Sequence, residues 1–179
     1  LCAGFFLLSA AIASAQKVVV SSKGYTEKSS WRYAPAVEVA AAFGGESLFG
    51  AELYPLALRH GLNHWAGIGI GYALERDGYW DNVYGEDVIT HYETYAIYPM
   101  TLSYQYNHFF SELSSVSAFV NASAGTLDIL NMDEYLMASF RVGASFDASH
   151  SRHSIGIGLQ ALKEEGILFS LAYSVSFGL

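Results

Sequence analysis

Five of the six histidines crowd into three short stretches of the chain: His60 and His64, His108, and His150 and His153. Neutral imidazole binds zinc or copper well, so such stretches could together hold a metal. No cysteine stands with them and their spacing matches no closed metal motif, so they read as exposed turn residues. No metal and no cofactor is expected. Ser151, between His150 and His153, offers a nucleophile beside a base, and His91 lies near Glu86, Asp87 and Glu93 with Thr90 adjacent. A base beside carboxylates suggests catalysis, but no serine stands in that second stretch and its acidic composition alone explains it. Residues 75–94 interleave acids with Tyr79, Trp80, Tyr84 and Tyr92. Aromatic anchors in a polar surround suit recognition of a protein or glycan, and equally suit the aromatic belt of a membrane interface. Within that stretch Glu75, Asp77, Asp81, Glu86 and Asp87 are the candidates for binding a cation or a basic partner. Three further charges, Glu38, Glu52 and Arg141, stand alone in alternating apolar segments, and what they do depends on which way those segments turn them.

Those segments are strands. The clearest is 167–179, where Ile167, Phe169, Leu171, Tyr173, Val175, Phe177 and Leu179 alternate with mostly small or polar residues such as Ser170, Ala172, Ser174 and Ser176. Side chains alternate sides along a strand, so one face is greasy and the other nearly bare. Seven more segments show the same period at 33–43, 49–58, 65–74, 95–106, 116–125, 135–146 and 154–162. Their lengths match the ~9–11 residues that cross a bilayer at a tilt. The second is the least regular, because Leu56 and Leu58 share a face with Glu52. All three prolines fall inside proposed strands, which points to bulges or strand ends there. The fold class expected is all-β, an eight-stranded antiparallel transmembrane barrel with both termini in the periplasm.

The start of the chain reads as an export signal: an apolar, uncharged stretch over 1–13, then Ala13-Ser14-Ala15 as a cleavage site before Gln16. Lacking an initiator Met and a basic start, the chain is expected to want a few N-terminal residues. Cys2, the only cysteine, precedes the cleavage point, so the mature protein is expected to carry no thiol or disulfide. The expected organisation is a signal peptide over 1–15, a periplasmic segment over 16–32 and the barrel over 33–179. A soluble barrel of the lipocalin type would need charges on the face opposite the greasy one, and that face is mostly Gly, Ser and Ala.

Connection lengths place the long stretch 75–94 outside the cell and make 59–64, 107–115 and 147–153 periplasmic turns. Sorting charges onto this topology puts twelve acids against Arg76 and Lys163 at the outer end, a net −10 within the chain's total of −8. Six bases against three acids give +3 at the periplasmic end. Glu38, Glu52 and Arg141 point inward, and none is left facing lipid, where a midplane Lys or Arg would cost ~2–4 kcal/mol. An inward charge in a narrow lumen needs a partner, so Arg141 is expected to pair with Glu38, Glu52 or both, as a core strut or as a gate. The small inward residues Gly67, Gly69, Gly71, Gly143, Gly156 and Gly158 would leave water pockets.

Four phrases carry a family resemblance: Phe49-Gly-Ala-Glu-Leu53, Trp65-Ala-Gly-Ile-Gly-Ile-Gly-Tyr72, Tyr98-Pro-Met-Thr-Leu-Ser-Tyr104 and the Ser174-Val-Ser-Phe-Gly-Leu179 ending. In them the chain resembles the small porin-like outer-membrane barrels of Bacteroidetes-type bacteria, related in architecture to OmpA and OmpX. The resemblance implies outer-membrane lipid and lipopolysaccharide as surroundings and the barrel-assembly machinery as a partner during insertion. Members commonly end on an aromatic residue, and this chain departs in ending Phe177-Gly178-Leu179. An eight-stranded barrel is roughly filled by its own side chains, so an open general porin is not expected. The function expected is structural, or interaction with a surface protein or glycan, with no nucleic-acid partner. An outer-membrane enzyme acting on lipid A or surface substrates, and a narrow channel for small solutes, are the alternatives.

Overall fold

The computed structural model describes residues 31–44, 47–83, 86–111, 114–130, 136–163 and 166–179. The proposed signal peptide and most of the segment after it lie outside these residues. Every regular element among them is a strand: β1 (Trp31–Tyr33), β2 (Ala36–Phe43), β3 (Ser47–His60), β4 (His64–Val83), β5 (Glu86–Ile97), β6 (Met100–Phe109), β7 (Val116–Thr126), β8 (Leu136–Ala148), β9 (Ser151–Leu162) and β10 (Gly166–Phe177). β1 and β2 form one barrel strand interrupted at Ala34 and Pro35, and β5 and β6 another interrupted at Tyr98 and Pro99, so ten segments make eight strands. All neighbours are antiparallel, and β2 meets β10 from Ala36 opposite Ser176 to Phe43 opposite Phe169, which closes the barrel. The alternation in the sequence and the fold agree on this architecture. Strand pairing opens at Trp31, two residues ahead of the expected boundary.

The prolines mark the barrel's irregularities. Proline cannot donate to a ladder, so it sits where the ladder is broken. Pro35 and Pro99 occupy the two interruptions, and each still accepts through its carbonyl, from Phe177 N at 2.8 Å and from Gly71 N at 2.9 Å. Pro55 lies in a bulge: Leu53 pairs with Ile70 and Leu56 with Ile68, so Tyr54 and Pro55 together oppose Gly69. The extra residue inverts the alternation of β3. Phe49 and Leu53 face outward before the bulge, Leu56 and Leu58 after it, and Tyr54, Ala57 and Arg59 turn inward. Leu56 and Leu58 therefore do not share a face with Glu52.

Polarity is inverted relative to a water-soluble barrel. Outward positions hold Val37, Phe49, Ile70, Leu102, Phe140, Ile157 and Phe169, all exposed, and between the two ends the outward positions of the described strands carry no Asp, Glu, Lys or Arg. Inward positions hold Thr101, Ser103, Asn107, Ser117, Asn121, Ser139 and Ser145, all buried. An apolar cluster that includes Leu48, Ile97, Leu127, Met137, Leu162 and Leu168 fills one end of the interior. The inward glycines do not leave open pockets; they seat large neighbours. A Cβ on Gly69 would stand 2.6 Å from the Tyr54 ring, one on Gly156 2.7 Å from the Phe119 ring, and one on Gly158 2.7 Å from Arg141 Cγ.

The connections differ from expectation at both ends. Residues 61–63 and 149–150 join their strands with shorter turns than the sequence suggested. This turn end also holds Trp31 and Leu179. At the opposite end the described residues of 75–94 are strand instead of irregular loop. β4 and β5 continue as a two-stranded ribbon, paired from Ala73 opposite Ile97 to Val83 opposite Glu86 with a bulge between Tyr79 and Trp80.

A charged lumen as the candidate functional site

Inward-facing charges lie at three levels of the barrel. In the middle, β2 and β3 place Glu38 and Glu52 directly opposite each other, and β8 brings Arg141 to them. Arg141 Nη1 donates to Glu38 Oε1 at 2.6 Å, with both side chains buried. Glu52 is satisfied otherwise: its carboxylate accepts from Thr101 Oγ1 at 2.5 Å and from the Tyr54 hydroxyl at 3.0 Å. Tyr54 shares the inward face of Glu52, two residues before it, and its ring also packs edge-on against Trp65 at 5.2 Å. Two acids in one buried layer are thus separated in role, one ion-paired and one held by hydroxyl dipoles. Between this layer and the apolar cluster lies a cavity of about 40 Å³ lined by Glu38, Glu52, Arg141 and Gln160.

The second level, at the turn end, was missed from sequence. Arg59, Arg152 and Asp147 were assigned to turns, yet Arg59 is 2 % exposed and Arg152 1 %. Arg152 forms a bidentate pair with Asp147, Nε to Oδ1 at 2.6 Å and Nη2 to Oδ2 at 2.8 Å, and its Nη1 donates to Leu62 O at 2.6 Å. The signal was available. The inward set Arg141, Gly143, Ser145 continues without a break to Asp147, and Ser154, Gly156, Gly158 runs back to Arg152, so simple extension of the alternation places both inside. Arg59 was hidden by the bulge.

At the third level, near the ribbon, Glu75 is 5 % exposed, which removes it from the expected outer-loop set. Asp77 is half-buried on the ribbon. Asp81, Glu86 and Asp87 have backbone positions in the ribbon, Asp81 opposite Val88, Asp87 opposite Asn82 and Glu86 opposite Val83; their side chains lie outside the described residues. Asp128, one of the twelve acids sorted to the outer end, is buried and accepts from Leu130 N through Oδ1 at 3.1 Å. Arg76 stacks over the Tyr92 ring at 4.0 Å.

The histidines sit mostly on strands and face outward among aromatic rings, which corrects their reading as turn residues. His60 lies 5.0 Å from Trp31, His64 Nδ1 is 2.7 Å from the Tyr104 hydroxyl, and His153 stacks on Phe146 at 4.8 Å. Only His150 is in a turn. No cluster of metal-ligating residues occurs among the described residues. Ser151 Oγ lies 3.1 Å from His153 Nε2, but the place of a triad carboxylate at Nδ1 is taken by the Tyr173 hydroxyl at 2.7 Å. His91 Nε2 lies 4.0 Å from Glu93 Oε1 with both side chains exposed. Comparison of the chain with protein families, with curated proteins and with solved structures finds no match, so the functional reading rests on the barrel and its lumen.

Proposed function

We propose that the chain is an integral β-barrel of the outer membrane of a Gram-negative bacterium, with a structural or surface-interaction role and both termini in the periplasm. One observation carries this reading: a closed barrel whose outward positions are apolar and uncharged while its interior is hydroxyl- and amide-rich. Lipid solvates such an exterior, whereas water would face a greasy band around the whole molecule. On this reading the aromatic and histidine ring at the turn end is the inner interface belt, and the ribbon projects from the cell surface. The resemblance to porin-like barrels of Bacteroidetes-type bacteria supports the same setting, as does the proposed export signal.

Open solute passage is not part of the proposal. The apolar cluster closes one end of the lumen, and the Glu38–Arg141 pair with Glu52, Tyr54 and Thr101 fills the middle. The pair is read as a strut. Surface interaction belongs to the ribbon, whose Asp77 and Tyr92 combine acid and aromatic character suited to a basic protein or a glycan. The test is direct. Purified mature protein in detergent should give a purely β circular dichroism spectrum and migrate differently in gels before and after boiling. Ready solubility without detergent would overturn the membrane setting.

A further inference from the structure

Among the described lumen arginines, Arg59 has no carboxylate hydrogen-bonded to its guanidinium. Its Nη2 donates to Ser176 Oγ at 2.6 Å, while Nε and Nη1 meet no acceptor among the described residues. Arginine stays protonated at any physiological pH, so this is a buried positive charge with one neutral hydroxyl as its partner. Such a charge is strongly destabilising unless something neutralises it. Asp147 offsets it only in part: it acts on Arg59 through space, but both of its oxygens are hydrogen-bonded to Arg152. Among the described residues, the turn-end level therefore holds two buried arginines against one carboxylate. Arg59 and Arg152 line the same chamber, together with Gln105, Ser154, Ser174 and Ser176.

We propose that this chamber binds a single monoatomic anion, chloride under physiological conditions, seated on Nε and Nη1 of Arg59. Its volume, about 10 Å³, is near the minimum that admits one water-sized particle. A chloride ion is larger than water and fits as the serine and Gln105 side chains give way, whereas phosphate or sulfate, larger still, would not fit. The serine hydroxyls can rotate to donate to it. Asn121 also lines the chamber, with Oδ1 unpartnered and Nδ2 donating to Ser103 Oγ at 2.8 Å. Because a hydroxyl both donates and accepts, turning this amide over keeps the Ser103 bond and presents an NH₂ to the anion. Glu38 reaches the same chamber, but Arg141 neutralises it. The rival occupant is a water bridging Arg59 to Asn121. Water would satisfy the donors but leave the charge. The proposal concerns the lumen alone and holds whatever surrounds the barrel's exterior.

The experiment is urea unfolding of the detergent-solubilised barrel at constant ionic strength, with chloride exchanged for gluconate. Linkage for one ion predicts an unfolding constant that falls about tenfold for each tenfold rise in chloride above its dissociation constant. Bromide should replace chloride and sulfate should not, and Arg59→Gln should abolish the dependence. An unfolding midpoint indifferent to chloride would overturn the proposal, as would a dependence that survives in Arg59→Gln. If that variant does not fold, crystals of the unaltered protein soaked in bromide decide. An anomalous peak within hydrogen-bonding distance of the Arg59 guanidinium supports the site, and a chamber holding only water sinks it.

Discussion

Arg141 stands in a layer with two glutamates and bonds to one of them. Removing it should leave Glu38 as a buried, uncompensated carboxylate, so Arg141→Met is expected to cost ~3–5 kcal/mol. Adding Glu38→Leu should recover most of that loss, because an apolar pair of similar volume replaces a desolvated ion pair at little net cost. Urea unfolding of the single and double variants in detergent gives both numbers; two losses that simply add would show the residues to be independent. The inward turn of Glu38, Glu52 and Arg141 was legible in the sequence, since strand alternation assigns a face to every residue. Their division of labour was not. Alternation says nothing about which neighbouring strand delivers a hydroxyl, and Thr101 comes from a strand 49 residues along the chain from Glu52.

Bulges limit what alternation can say about an element. In β3 a single extra residue separates two stretches that are each regular, and reading through it assigns Leu56, Leu58 and Arg59 to the wrong side. Deleting Pro55 should therefore regularise the strand without changing any face, leaving Tyr54 and Leu56 as successive inward and outward residues. The deletion variant is expected to keep the heat-sensitive gel migration of the folded barrel. Deleting Val142 from β8, which pairs with both neighbours without a register shift, should abolish it, because a one-residue slip inverts one half of the strand. Equal behaviour of the two variants would count against the bulge. The ribbon was lost for a related reason: residues 75–94 alternate acids, aromatics and glycine with no apolar face, so nothing in the hydrophobic pattern marks them as strands, although β4 and β5 pair through it on both sides of one bulge. The glycine runs were visible but misjudged, since emptiness at one position is filled by Tyr54, Phe119 or Arg141 from another strand.

Across the whole molecule the irregularities are not evenly spread. Pro35, Pro55 and Pro99 lie on one contiguous wall, the strand formed by β1 and β2, then β3, β4 and the strand formed by β5 and β6. The opposite wall, β7 to β10, pairs without a register shift. Each interruption removes ladder hydrogen bonds, so backbone amides beside the prolines should exchange with deuterium faster than those in the middle of β8 and β9. Hydrogen exchange measured strand by strand checks this, and uniform protection around the circumference would refute it. The consequence is mechanical. A tube with one uninterrupted wall and one notched wall does not resist compression equally in all directions. Squeezed from the side, it flattens by bending along the notches, and its cross-section becomes an oval whose long axis the sequence has chosen in advance.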